Sequence, residues 1–211
     1  MKADNYQQYY TKVRRYLYKF ASTEKKTLDL GCGDGHLIGD FKNIIGIDID
    51  KNNVKKYPSK IIIQDLTKGI PFSDDSFEQI ICLEVIEHLK EKEDVKNLLK
   101  ESYRVLSNEG MMIITTPNKK RWTLLMRKIF LKDKKYPYCI SEKNIGKCKE
   151  FTHMHYHEFS KEEIEKLLKE VGFRKIFIEE RFLEMPFILK GIDVKSELGK
   201  MLLVVTRKVE K

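Results

Sequence analysis

The sequence is poor in the features that mark secreted or membrane-spanning proteins. Its 211 residues include four cysteines, five prolines and one tryptophan. No two cysteines have CxxC spacing, which indicates buried or idle thiols in a reducing compartment rather than a disulfide framework. No apolar run approaches the roughly 18 residues that cross a bilayer, and residues 1–20 are too polar for a secretory signal. We therefore expect a cytoplasmic protein.

Acidic residues are scarce in one part of the chain. The whole sequence has 41 Lys and Arg against 32 Asp and Glu, a formal net charge of +9. Residues 118–150 contain 11 of those cations and only 3 of the acids, a net of +8. This segment therefore carries nearly all of the basic excess, and we expect any anionic partner to meet the protein there.

Short apolar runs recur along the chain and alternate with helical patterns. Hydrophobic residues make up 41% of the sequence, and the length suits a single domain, 1–211. Apolar runs of this kind are typical of strands that are buried on both faces of a parallel sheet. The pattern predicts a doubly wound α/β fold. The predicted strands are 27–30, 44–49, 61–64, 77–83, 111–116, 175–178 and 201–206.

Three helices have clear signals of their own. Apolar residues at helical spacing predict amphipathic helices over 6–20 and 92–106. A third helix should begin after Ser160, which forms a capping box with Glu163, and end at Gly172. Before it, residues 118–159 contain no convincing strand and begin with a basic amphipathic stretch. We interpret 118–159 as a lid or insertion between the fifth strand and the following helix.

A glycine-rich turn follows the first strand. Residues 28–35 read LDLGCGDG, and glycines there let the backbone approach a ligand, with the start of a helix expected next. The dinucleotide fingerprint GxGxxG fails in both frames, because its sixth position is His36 or Ile38. The turn is also not a GxxxxGK[ST] phosphate loop. An NAD-dependent oxidoreductase is thus the weaker interpretation.

Five ordered motifs, each at a strand end, resemble those of class I S-adenosylmethionine-dependent methyltransferases. They are LDLGCGDG at 28–35, GIDID at 46–50, QDL at 64–66, IPFSDDSF with CLEVIEHL at 70–89, and TPN at 116–118. The chain is similar to the type 11/23-like subfamily, which includes ubiquinone-biosynthesis methyltransferases. The resemblance implies a Rossmann-like, mostly parallel seven-stranded sheet of order 3-2-1-4-5-7-6, with helices on both faces.

The resemblance also implies where S-adenosylmethionine binds. Asp48 would accept hydrogen bonds from both ribose hydroxyls, since a carboxylate offers two acceptor oxygens. Asp65 would meet the adenine amino group, and Asp29 would hold backbone N–H groups beside the turn. The full candidate set for the cofactor is Asp29, Gly31, Cys32, Gly33, Gly35, Asp48, Ile49, Asp65, Leu66 and Leu83.

Histidines supply the candidates for catalysis. His88, His155 and His157 are candidate general bases, which methyl transfer needs only when the acceptor must lose a proton. An alternative is a divalent cation, since a Glu-x-x-Glu-His block with a later histidine resembles the metal site of small-RNA 3′-terminal 2′-O-methyltransferases. The ligands for that cation would be Glu84, Glu87, His88 and His157.

The substrate class stays open between several alternatives. The first is a small molecule, such as a phosphorylated or carboxylated one, drawn to the lysines of residues 118–150. RNA is the second, with those lysines on phosphates and Trp122, Tyr136 or Tyr138 stacked on bases. An anionic membrane surface is the third. A function of another class, a non-catalytic S-adenosylmethionine-binding regulator or assembly subunit, is also compatible with an intact turn.

Overall fold

Seven strands and three α-helices make up most of the regular structure in the described part of the chain. The computed structural model of the protein describes residues 3–52, 59–120, 155–181 and 201–209. The strands are β1 Thr27–Leu30, β2 Ile44–Asp48, β3 Lys60–Ile63, β4 Phe77–Leu83, β5 Leu106–Pro117, β6 Arg174–Arg181 and β7 Met201–Arg207. The helices are α1 Ala3–Phe20, α2 Lys92–Val105 and α3 Lys161–Val171. Short 3-10 helices span Leu66–Lys68 and Ile86–His88.

The strands form one sheet in the order β3-β2-β1-β4-β5-β7-β6. The first five strands pair in parallel, and β7 runs antiparallel to both β5 and β6. The predicted α/β architecture and strand order are confirmed. In this order β1 lies between β2 and β4, and the chain reverses its winding direction there, which is where ligands bind in open α/β sheets.

Two hydrophobic clusters lie on opposite faces of the sheet. Along β4, Ile80 and Cys82 belong to one cluster and Ile81 to the other, because successive side chains of a strand alternate in direction. The first cluster contains the apolar stripes of α2 and α3. The second contains Val13 and Leu17 of α1. Helices therefore cover both faces, as predicted, and the continuous apolar runs reflect burial on each side.

The α3 boundaries follow the residues that predicted them. The Ser160 hydroxyl accepts a hydrogen bond from the Glu163 amide at 3.3 Å, and the Glu163 carboxylate accepts one from the Ser160 amide at 2.8 Å. Gly172 ends the helix in the left-handed conformation, with φ of 117°. Local capping chemistry thus sets both ends of this helix.

One predicted element is absent. The sequence predicted that a helix begins after the glycine-rich turn, but residues 31–43 contain only tight turns and bends. Four glycines within this short connection disfavour helix, because glycine loses more backbone freedom there than any other residue. The connection from β1 to β2 therefore contributes no helix to the face of the sheet.

The insertion is described only at its two ends. Asn118 and Phe159 form a parallel bridge, and the Lys119 amide donates to the Phe159 carbonyl at 3.0 Å. The two ends of the segment therefore meet beside the end of β5. Residues 121–154, including the aromatic residues proposed for base stacking, lie outside the described residues.

Two of the four cysteines lie among the described residues. Cys32 and Cys82 are free and buried, whereas Cys139 and Cys148 lie outside the described residues. Complete burial raises the pKa of the Cys82 thiol well above 9.0, so this thiol is protonated. Among the described helices, none combines the length and the apolar character of a membrane span.

Replacing Ser160 by alanine removes the acceptor that caps α3. We expect Ser160→Ala to lower the free energy of unfolding by about 1 kcal/mol, the usual cost of losing such a cap. Ser73→Ala, at an exposed position outside helices and strands, is the matched control and should change stability by less than about 0.5 kcal/mol. Urea unfolding followed by circular dichroism measures both; equal unfolding midpoints would contradict the capping role.

Candidate functional site

The glycine-rich turn lies at the carboxyl end of β1, pressed against the end of β2. The amides of Gly31 and Cys32 both donate to the Ile47 carbonyl, at 2.8 and 3.1 Å. At Gly31, where φ is +64°, a Cβ atom would lie 2.4 Å from a methyl group of Val85. Gly31 is therefore required for close packing under the loop that follows β4.

Gly33 has a different environment. Its φ is +54°, yet a Cβ atom built there would meet no atom within 4 Å. The absence of a side chain at Gly33 is therefore not explained by packing within the described residues. It leaves open space directly above the turn, and that space is the predicted location of the cofactor.

Asp48 connects the turn to the end of β2. Its Oδ2 accepts a hydrogen bond from the Gly33 amide at 2.8 Å, and its Oδ1 accepts one from the Asp50 amide at 2.8 Å. The carboxylate is only 9% exposed. Sequence reasoning assigned the holding of backbone N–H groups to Asp29, which lies buried in β1. Asp48 makes such contacts too, through both of its carboxylate oxygens.

Apolar side chains are exposed beside Asp48, at the carboxyl ends of β2 and β3. Ile49 is 69% exposed and Ile63 is 37% exposed. Large apolar residues left open together at a sheet end are suited to covering a flat ring. Leu66 and Leu83, the other apolar members of the predicted set, are half-buried at the ends of the neighbouring connections.

Asp65 has a structural contact that the sequence did not predict. It caps the 3-10 helix Leu66–Lys68, because its Oδ1 accepts hydrogen bonds from the Thr67 amide at 2.9 Å and from the Thr67 hydroxyl at 2.8 Å. Both bonds go to the same oxygen. The cap holds the carboxyl group at the end of β3, on the same edge of the sheet as Asp48.

The chain leaves β4 through a strained residue. Glu84 has φ of +56°, a conformation that non-glycine residues rarely adopt, and its amide donates to the Thr115 carbonyl at 3.0 Å. Such strain is frequent where a loop must aim side chains at a site. The turn at Glu84 leads directly into the 3-10 helix Ile86–His88.

Glu87 is the centre of contacts between three parts of the chain. It is completely buried, and its Oε2 accepts a hydrogen bond from the Thr116 hydroxyl of β5 at 3.1 Å. Its backbone carbonyl accepts from the amides of Tyr156 and His157, at 2.8 and 3.3 Å. Its Oε1 has no hydrogen-bond partner among the described residues. Burial, and then the nearby charge of Glu84, raise the pKa of Glu87 well above 4.5.

The structure brings two of the three candidate histidines together. The rings of His88 and His155 pack edge to face with centroids 5.0 Å apart. A ligand atom from each, with a Glu87 carboxylate oxygen, lie within 4.8 Å of one another. This trio differs from the predicted metal set, since it contains His155 in the position expected for His157 and does not contain Glu84.

His157 faces a different neighbour. Its Nε2 lies 3.0 Å from the Lys90 carbonyl oxygen, and burial lowers its pKa below 6.5. Both the 156 and 157 amides turn toward one carbonyl, that of Glu87, so the chain is not regularly extended there.

Two positioning residues were missed from sequence. Thr116 was recognised only as the end of a strand, although its hydroxyl holds the Glu87 carboxyl. Arg104 of α2 donates to Glu101 and Asp74 and to the carbonyls of Ile70 and Phe72, fixing the loop before β4. No local signal points to these contacts, because most of the partners lie about 30 residues away in the sequence.

Comparison with known proteins identifies a family. The profile of the methyltransferase-domain family matches residues 3–176. A probable S-adenosylmethionine-dependent methyltransferase of Mycobacterium tuberculosis is 30% identical over 105 residues, which are 46% of this chain and 37% of that protein. A ubiquinone biosynthesis O-methyltransferase of Pelagibacter ubique is 30% identical over 118 residues, 48% of each chain. The chain thus spans less than half the length of these curated relatives.

A solved structure shares the fold over nearly the whole chain. It is a SAM-dependent methyltransferase from Thermotoga maritima, described as a possible histamine N-methyltransferase, and its TM-score is 0.72. The match covers 96% of this chain and 90% of that chain at 18% sequence identity. At this identity the likeness establishes the architecture and leaves the chemistry to be argued from the site.

The raised pKa of Glu87 has a consequence for stability. Above the ordinary value of 4.5 the unfolded chain releases this proton while the folded chain retains it, so rising pH favours unfolding until the folded pKa is reached. Glu87→Gln keeps the acceptor for Thr116 and removes the titration. The variant should gain stability over the wild type as pH rises from 5 to 8, by up to about 1.4 kcal/mol per pH unit.

The measurement is urea unfolding of both proteins at several pH values in the presence of a chelator. A stability difference that stays constant from pH 5 to pH 8 would contradict the raised pKa.

Proposed function

The chain belongs to the methyltransferase-domain family, and from that premise we propose that it transfers a methyl group from S-adenosylmethionine to a small molecule. S-adenosylmethionine is the cofactor that the family and the fold imply. The acceptor would be a hydroxyl, an amine or a carbon. The observation that carries the proposal is the open space above Gly33, where a Cβ atom would meet no atom of the described residues within 4 Å.

The residues around that space fit an adenosine-containing cofactor. The Asp48 carboxylate lies beside the turn, where it holds two backbone amides, and we propose that it also accepts hydrogen bonds from the ribose hydroxyls. Exposed Ile49 offers an apolar surface to the adenine ring, with Leu66 and Leu83 nearby in the same set. Asp65, fixed by its cap to the 3-10 helix, would face the adenine amino group.

Little acid–base machinery is needed for the transfer itself. The sulfonium of the bound cofactor supplies an activated methyl group. The protein therefore contributes mainly position and orientation, by holding the acceptor in line with the methyl carbon and by excluding water. An acceptor that must lose its proton needs a base as well, and we propose that His88 or His155, whose rings pack together, supplies it.

The substrate is proposed to be anionic. Residues 118–150 carry a net charge of +8, and the described ends of the insertion converge beside β5, next to Glu87 and the histidine pair. A basic segment that starts and ends at the acceptor side of the site would raise the local concentration of a phosphorylated or carboxylated molecule. The similar proteins include an O-methyltransferase and a possible N-methyltransferase. Their names therefore support an oxygen or a nitrogen as the methyl acceptor.

Asp48 and Asp50 form a matched pair for testing the cofactor site. Asp48→Ala removes the acceptor for the Gly33 amide and the proposed ribose contact, and should weaken binding of S-adenosylhomocysteine at least about tenfold. Asp50→Ala should leave binding within about twofold, since that carboxylate contacts Asn52 and not the turn. Calorimetry with S-adenosylhomocysteine measures both affinities.

Two outcomes would refute the proposed function. One is that the wild-type chain binds neither S-adenosylmethionine nor S-adenosylhomocysteine. The other is cofactor binding without transfer of label from methyl-labelled S-adenosylmethionine to any compound of a chemically diverse acceptor panel that spans phosphorylated metabolites, phenols, amines and RNA. That second result would favour a regulator or assembly subunit.

A second candidate function is metal-assisted methylation of an RNA hydroxyl. The observation that favours it is the trio Glu87, His88 and His155, in which the buried Glu87 Oε1 lacks a partner among the described residues. One carboxylate and two imidazoles suit a divalent cation. When bound, the ion would make a hydroxyl more acidic. Phosphates of the RNA would meet the basic residues of 118–150.

A metal-binding measurement distinguishes the role of His155 from that of His157. Mn²⁺ titrated into chelator-treated protein should bind with one ion per chain, and His155→Ala should abolish that binding. His157→Ala is the matched control and should retain it, because its ring contacts the Lys90 carbonyl. Unchanged affinity in His155→Ala, or full methylation activity without any metal, would remove this candidate.

A further inference from the structure

The turn at the cofactor site has weak internal support. From Cys32 to Phe41 the backbone is held by successive three-residue turns, in which the amides of Gly35, Ile38 and Phe41 donate to carbonyls three residues earlier, at 3.0 to 3.1 Å. That is one hydrogen bond for every three residues, whereas a helix would form one per residue. Residues 32–41, here named the turn segment, therefore need support from elsewhere to stay rigid.

One face of α1 supplies such support. Tyr10, Arg14 and Tyr18 follow one another at four-residue spacing, so they lie on one side of the helix. The Tyr10 ring packs edge to face on His36 with centroids 4.9 Å apart, and Tyr18 packs on Phe41 at 5.6 Å. Between them, Arg14 Nη2 lies 2.8 Å from Asp40 Oδ2. These contacts cover the turn segment from His36 to its end.

An apolar layer lies beneath these contacts. Val13 and Leu17 of α1 are each 1% exposed and share a cluster with Ile38 and Phe41 of the turn segment. Ile38 is also 1% exposed. Without α1 these side chains would face water, so the turn segment and the helix become ordered together.

A short chain of contacts leads from α1 to the cofactor site. His36, which touches Tyr10, has its Nδ1 2.5 Å from Asp34 Oδ1, and the Asp34 carboxylate also accepts from the His36 amide at 3.2 Å. Asp34 directly follows Gly33, the residue beneath the open space. A change in how α1 sits on His36 is therefore passed on to the backbone at the point of proposed cofactor contact.

We propose that α1 holds the turn segment in the conformation that binds the cofactor. Tyr10, Arg14 and His36 are then positioning residues for cofactor binding. This coupling rests on the proposed function. Ordering a loose segment costs conformational entropy. When α1 is docked, the turn segment is already ordered, so cofactor binding loses less conformational entropy. By linkage, the cofactor must in turn strengthen the docking of α1 to the same extent.

Two arginines next to each other in α1 allow a matched test. The double variant Tyr10→Ala/Arg14→Ala removes the ring contact to His36 and the ion pair to Asp40, and it leaves the Tyr18–Phe41 contact and the apolar layer in place. We expect S-adenosylhomocysteine affinity to fall about three- to tenfold, in keeping with one exposed ion pair and one aromatic pair. Arg15→Ala, at an exposed position, should keep wild-type affinity. Restoring charge with Tyr10→Ala/Arg14→Lys should recover part of the loss.

Hydrogen exchange distinguishes positioning from a general loss of stability. In the ligand-free double variant the amides of Gly35, Ile38 and Phe41 should exchange faster than in the wild type, while those of β4 and β5 stay unchanged. In the wild type, S-adenosylhomocysteine should slow exchange within α1. Faster exchange throughout the sheet would show a merely structural role and would overturn the proposal.

The possible failures are separable. If the wild-type chain binds neither S-adenosylmethionine nor S-adenosylhomocysteine, the proposed function fails, and the coupling falls with it. If the wild type binds but the double variant binds equally well, or if exchange in the turn segment is unchanged, the coupling is overturned and the proposed function stands.

Discussion

The contact on which the site depends most is the pair of hydrogen bonds at Asp48. One carboxylate holds the Gly33 amide of the turn after β1 and the Asp50 amide beyond β2, each at 2.8 Å. It therefore fixes two neighbouring strand ends relative to each other at the switch point of the sheet. A hydrogen bond to a nearly buried charge is worth more than one between neutral groups. Together with the bonds from the Gly31 and Cys32 amides to the Ile47 carbonyl, this carboxylate holds the turn against the end of β2.

Glu87 connects distant segments in a similar way beside β5. Its side chain reaches β5 through Thr116, and its carbonyl receives the chain as it returns from the basic insertion. The return of that chain brings His155 against His88. A buried carboxyl with a raised pKa destabilises the folded state at neutral pH. A buried carboxyl of this kind favours a functional role for Glu87 over a purely structural one, because functional groups are often held in unfavourable environments.

The elements that sequence reasoning placed correctly are those with strong local signals. The apolar runs of β1, β2, β4 and β7 predicted strands because both faces of the sheet are covered. The Ser160 box and Gly172 bounded α3 because capping is chemistry between neighbours. The helix expected after the glycine turn was wrong, since four glycines within residues 31–43 disfavour helix and α1 covers that part of the chain instead. The packing of α1 on residues 31–43 depends on contacts between residues far apart in sequence.

What the sequence determined by itself was the alternation of strands and helices, the glycine turn, and the residue types near the site. Resemblance to a family supplied the strand order and the expected cofactor. Only the tertiary structure decided which distant partner each polar group has: the Gly33 amide for Asp48, the Thr116 hydroxyl for Glu87, and the His155 ring rather than the His157 ring beside His88 and the Glu87 carboxylate. The physical reason is range. Hydrophobic periodicity and capping act between neighbours in sequence, whereas these long-range contacts form only after folding has brought the donor and acceptor atoms within about 3 Å of each other.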